Sequence, residues 1–137
     1  MSTFLLEIVT PERVVFSEQV ESLSVRGEEG ELGILPGHIP FVTPLKVAPI
    51  KVKTGKNSTI LAVHGGFVEV QKDKVILLAE SAEAPNDIDV ERAKAAKERA
   101  ERRLNAHGNQ DMVDHRRAEL ALQRAITRIN VSSRSKE

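Results

Sequence analysis

Arginines carry the most distinctive chemical pattern in this chain. Arg92 and Arg99 are seven residues apart, with Arg103 four further on, and Arg124 and Arg128 form an i, i+4 pair in a later segment. On helices these spacings place each set along one face. If the two segments fold back antiparallel, the start of the first lies beside the end of the second and the guanidiniums converge. Four such groups near a helix N-terminus would bind a polyanion such as a nucleoside triphosphate. Helix arginines also serve as solvated faces or pair with glutamates, as the spacing of Glu98 and Arg102 allows, so spacing alone leaves both readings open.

Other chemistries find little support. His38, His64, His107 and His115 form no i, i+4 pair and no His-Glu-x-x-His run, so no metal site is expected. Glu28, Glu29 and Glu31 sit in a Gly-rich turn and read as solvated. The chain has no phosphate-cradling glycine loop and no nucleophile elbow, and no catalytic residue is assigned. Zero cysteines exclude a disulfide framework, a thiolate zinc site and thiol catalysis. Nucleic acid is disfavoured because acids are interleaved with the arginines and only four Phe represent the aromatics.

Two kinds of element must position these residues. Up to Leu78 the pattern is short and β-like, with strand-length runs at Phe4–Val9, Val20–Val25, Ile60–Val63 and Lys74–Leu78. Thr54-Gly55-Lys56-Asn57 and Gln71-Lys72-Asp73-Lys74 read as hairpin turns. Strands without intervening helices predict a sandwich or barrel. Pro85 marks a switch, and Asn86-Asp87-Ile88-Asp89 is a helix-start signature. A narrow apolar stripe follows at Ala93, Ala96, Ala100 and Leu104, ending at His107-Gly108-Asn109. A second helix restarts at Asp111–Asp114, with a stripe through Ala118, Ala121 or Leu122, Ala125 and Ile129. The expected organisation is an all-β domain over residues 1–85 and an antiparallel helical hairpin over 86–137. Alanine favours helix strongly but buries little area, so the hairpin seam should be weak beside the β core.

Charge supports the division. Residues 1–85 hold 8 basic and 11 acidic side chains, and residues 86–137 hold 12 basic and 9 acidic. No apolar run approaches the ~18 residues of a membrane span, and the first ten residues lack a signal-peptide layout, giving the cytosol as the default compartment. The densest special-backbone stretch, Gly30 to Pro40, reads equally as a rigid docking edge or as a turn entering the core.

Gly30-Glu31-Leu32-Gly33-Ile34-Leu35-Pro36-Gly37-His38, followed by Gly65-Gly66-Phe67-Val68-Glu69-Val70, resembles the epsilon subunits of bacterial F-type ATP synthases. Glu80–Ala84, Ile88–Ala93 and Arg117–Leu122 extend the likeness, the last being most similar to bacillus subunits. The resemblance implies a ten-strand β-sandwich followed by two helices, in a non-catalytic stalk subunit on the cytoplasmic side of the cell membrane. It implies contacts with the gamma subunit and the c-subunit ring, the membrane being touched only indirectly, and places Glu31 and His38 in the ring-facing loop. The hairpin is implied to extend toward the alpha and beta subunits and block hydrolysis, or to fold and permit turnover. No cofactor is implied as required, with ATP a regulatory ligand of the folded hairpin. Glu83, Ile88, Asp89 and Ala93 would surround its adenosine, and Arg92, Arg99, Arg124 and Arg128 its phosphates, with Asp89 alternatively capping the helix. His64 departs from the family pattern, which has a small polar residue there. Two other functions compete: a free-standing ATP sensor, separable by co-purification with gamma, and a nucleic-acid-binding hairpin, separable by steep salt dependence.

Overall fold

The computed structural model describes residues 2–106 and 112–134. Its strands are β1 (Phe4–Val9), β2 (Val14–Val20), β3 (Ser22–Gly27), β4 (Gly30–Ile34), β5 (Phe41–Thr54), β6 (Asn57–Val70), β7 (Lys74–Ala79) and β8 (Ala82–Glu83). They are joined in the order β2-β1-β7-β6-β5-β3-β4, with β8 added to β6. Neighbours are antiparallel except for β1 and β7. Alternation builds the core: β1 buries Phe4, Leu6 and Ile8 while the residues between them face outward. Val20, Leu23, Val52, Val63, Val68 and Leu77 close the same aliphatic core from the other strands.

Eight strands among the described residues, rather than ten, make the sandwich. The difference lies in β5 and β6, each 14 residues long. β6 pairs with β8 through Ala62 and Val63, then with β7 from Gly66 to Val70, so one bent strand serves two neighbours. The bend falls at Gly65 and Gly66, with φ of 77° and 125°. A Cβ on Gly66 would stand 2.0 Å from the Leu78 carbonyl oxygen, so only glycine fits this crossing.

Both expected hairpin turns occur, between Thr54 and Asn57 and between Val70 and Lys74. The run Val20–Val25 is not one strand: it passes from β2 to β3 at Glu21, whose N–H turns to the Lys53 carbonyl.

After β8 a short 3-10 turn, Pro85–Asp87, leads into α1 (Val90–Asn105), and α2 spans Met112–Arg134. The expected stop at His107–Asn109 and restart at Asp111 lie outside the described residues. Ala93 and Ala100 of α1 and Ala118 and Ala125 of α2 are buried, while Ala96, Leu104, Ala121, Leu122 and Ile129 are half-buried. α2 lies against β5, β6 and the 3-10 turn, whereas α1 packs chiefly on α2. The helix is anchored to the sandwich by Val131, which is fully buried with Ala62 and Ile88 and against Ile60.

Candidate functional site

The start of α1 is built locally. Asp89 is its N-cap, and its Oδ1 accepts the Arg92 N–H at 3.0 Å. The cap fixes where the helix begins and sets the rotation of its first turns. Arg92, Ala93, Ala96 and Arg99 then fall along one side, and Arg99 stands about 15 Å along the axis from the cap. This side faces β8 and α2 across a pocket of about 400 Å³. Glu83 of β8, Arg128 of α2 and Asp87 of the 3-10 turn complete its walls with Asp89, Arg92 and Arg99.

Charge in the pocket is divided. Arg128 donates from Nε to Glu83 Oε1 at 2.7 Å, and Asp87 lies 3.9 Å from the exposed Arg13 guanidinium. Among the described residues, Arg92 and Arg99 make no side-chain ion pair, and both are exposed. Two uncommitted guanidiniums on one side of α1 can take a phosphate chain, since their planar forks favour bidentate anion binding. The acids gather where α1 begins and β8 ends, so hydrogen-bond donors of a ligand would be received there and its anionic groups further along the helix.

Glu83 is engaged twice. Its Oε1 also receives His64 Nε2 at 2.7 Å. Burial pushes the Glu83 carboxyl up, but the hydrogen bonds from His64 and Arg128, with the charge of Arg128, outweigh it and hold the group below the usual glutamate range. An ionised carboxylate only accepts, so Nε2 is the donor of this hydrogen bond.

The structure thus brings together Glu83, Asp89, Arg92, Ala93, Arg99 and Arg128. Ile88 stands beside them with its side chain buried under α2 and its N–H committed to the Pro85 carbonyl, leaving its C=O as the backbone group on offer. Arg124 is not on the pocket wall. It lines a second groove of about 740 Å³ with Arg26, Lys46, Arg116 and the flank of His64. The i, i+4 spacing puts Arg124 and Arg128 on one face of α2, but that face meets two cavities. Sequence reasoning missed Asp87 and the part played by His64; the first sits in the helix-start signature and was legible as a neighbour of Asp89.

Glu31 and His38 are separated by β4. Glu31 is near its beginning, opposite Arg26 in the β3–β4 ladder and close to Asn130 and Arg134 of α2. His38 lies in the loop beyond its end, tilted against Phe41 with ring centroids 5.1 Å apart. Leu35 and Ile39 of that loop are exposed. A second apolar surface crosses the sheet: Val14, Val9, Leu78, Phe67 and Pro44 are successive register partners over β2, β1, β7, β6 and β5. Phe67 and Leu78, 53% and 49% exposed, stand side by side at its centre. Among the described residues no cluster of His, Asp or Glu could hold a metal, and no helix is long and apolar enough to cross a membrane.

Residues 3–85 match the family profile of the ATP synthase delta/epsilon chain β-sandwich domain, and residues 86–133 that of its long α-helix domain. The ATP synthase epsilon chain of Bacillus mycoides is 52% identical over 132 residues, covering 96% of this chain and 98% of that one. The epsilon chain of Brevibacillus brevis is 61% identical over 105 residues, covering 76% of this chain and 80% of that protein. Among solved structures, a chain in the Euglena gracilis mitochondrial ATP synthase (OSCP/F1/c-ring, rotational state 1) superposes with a TM-score of 0.80. That match has 22% identity and covers 100% of this chain and 83% of the other. A chain of the Tetrahymena thermophila central stalk and c-ring aligns with a TM-score of 0.62 at 14% identity, covering 99% and 98%. At such identities the likeness is one of fold.

Proposed function

The chain belongs to the delta/epsilon chain family of ATP synthases, and from that premise we propose that it is an epsilon subunit whose helical hairpin is a receptor for ATP. As such it is a non-catalytic stalk component of a membrane-associated complex. The observation that carries the ligand reading is the pocket itself: Glu83, Asp89, Arg92, Arg99 and Arg128 meet between α1, α2 and β8 although they span 46 positions of sequence. The adenosine would occupy the acidic end near Glu83 and the Ile88 carbonyl, and the phosphates would run toward Arg92, Arg99 and Arg128. Arg124, on the neighbouring groove, would contribute its charge from a distance.

The partner surfaces support the stalk reading. The apolar row through Phe67 and Leu78 suits the gamma subunit, and the loop bearing Leu35, His38 and Ile39 suits the c ring. Contact with the alpha and beta subunits belongs to an extended hairpin, and the assembly would sit on the cytoplasmic side of the membrane. In this scheme ATP is a signal. A ligand that binds only the folded hairpin favours folding by RT ln(1 + [L]/Kd), about 1.4 kcal/mol at ten times Kd. A shift of that size matters because the helix–helix seam is thin.

Titrating ATP calorimetrically into the full chain, with and without magnesium, tests the pocket. Arg92→Ala should weaken binding by about tenfold or more, ~1.4 kcal/mol, with the sandwich still folded by circular dichroism. Unchanged affinity in that variant would remove the site assignment. A free-standing sensor, the competing reading, would bind ATP equally well but fail to co-purify with gamma.

A further inference from the structure

His64 lies on β6, one residue before the Gly65-Gly66 bend, and is 2% exposed. Its Nε2 is hydrogen-bonded to Glu83 Oε1, but its Nδ1 is buried with no hydrogen-bond partner among the described residues. For stability alone this is a poor use of the position. An unpaired buried polar atom costs free energy that an aliphatic side chain of similar volume would not incur. What the imidazole supplies, and a leucine would not, is the single contact to Glu83.

That contact reaches the ligand pocket from behind. Oε1 of Glu83 accepts from both His64 Nε2 and Arg128 Nε, each at 2.7 Å. Two donors converging on one oxygen hold that oxygen between His64 and Arg128, and Oε2 is left as the acceptor on offer. We propose that His64 is a positioning residue of the nucleotide pocket, holding Glu83 and, through it, Arg128 in the arrangement that receives ATP. The inference rests on the nucleotide reading above.

The surroundings define how such a relay titrates. On the pocket side Glu83 faces Arg128 of α2, Asp87 of the 3-10 turn, and Asp89, Arg92 and Arg99 of α1. Behind His64, the second groove presents Arg26 and Glu28, Lys46, Glu80, and Arg116 and Arg124 of α2. Burial works against the Glu83 charge and the two donors restore it. Loss of the His64 donor therefore moves the Glu83 titration upward, and ATP binding fails at a higher pH on the acid side.

His64→Leu and His64→Gln separate the donor from the packing, because the glutamine amide keeps an N–H for Glu83 and leucine keeps only volume. In the full chain, His64→Leu should melt no lower than wild type yet bind ATP roughly fivefold more weakly at neutral pH. Its Glu83 carboxyl should titrate at higher pH in ¹³C NMR, and His64→Gln should restore most of the affinity. Wild-type ATP affinity in His64→Leu overturns the proposal, as does an affinity loss that glutamine does not rescue. The carboxyl titration needs no ligand: an unmoved Glu83 titration in His64→Leu removes the relay, whereas a wild-type chain that binds no ATP removes the nucleotide reading on which the proposal stands.

Discussion

In the sandwich the largest fully buried side chains are Leu6, Ile8, Leu23, Ile34 and Leu77, whereas the seam between α1 and α2 buries Ala93, Ala100, Ala118 and Ala125. Both regions are well-formed secondary structure, but they obtain it differently. The sandwich depends on large aliphatic groups brought together from distant strands, each worth roughly 1.5–3 kcal/mol of burial. The helices depend on local propensity and on the Asp89 cap, with little area between them. A region whose order is local can leave its neighbours and remain ordered. Among the described residues of α2, Val131 is the one large apolar group that is fully buried, and it faces the sheet rather than α1.

That contrast can be broken at three positions. Leu6→Ala should cost about 3–4 kcal/mol by opening a cavity in the aliphatic core, read as a lower urea midpoint for the whole protein. A smaller loss would mean that the sandwich is less tightly packed than its burial indicates. Val131→Ala should cost about 2 kcal/mol of α2 docking, read as faster amide exchange along α2 while β1 and β7 keep their protection. Faster exchange in β1 as well would show that the sheet needs the hairpin. Asp89→Ala should have the smallest effect, about 1 kcal/mol, confined to fraying at the start of α1. It should also weaken ATP binding modestly, because the cap sets the rotation that presents Arg92 and Arg99.

Much of this was legible in the sequence, for reasons that follow the same division. Alternation at Phe4–Val9, the turns at Gly55 and Asp73 and the cap at Asp89 are local signals, and each element formed where its signal lay. The sequence did not show that β6 bends rather than breaks, because the register that carries it past Gly66 is set by β7 and β8. Nor did it show the role of His64. Its partner lies 19 residues away, and the second donor to that carboxylate a further 45. Arg124 illustrates the limit of helical spacing: four residues secure a common face with Arg128, but the docking of Val131 and Ala125 decides which cavity each arginine meets.

Apart from the covalent tether through the 3-10 turn, α1 packs on α2 and α2 on the sheet, so the packing joints of the hairpin act in series. A load that swings α1 away from the sheet about that tether reaches the alanine seam before it reaches Val131, so the weakest joint is the first to yield. The pocket lies between α1 and β8. A molecule seated there would join α1 directly to the sandwich and place a second connection alongside the first. The linkage then becomes a parallel one, in which neither joint gives way unless both do, and a small ligand alters mechanical compliance well beyond the area it covers.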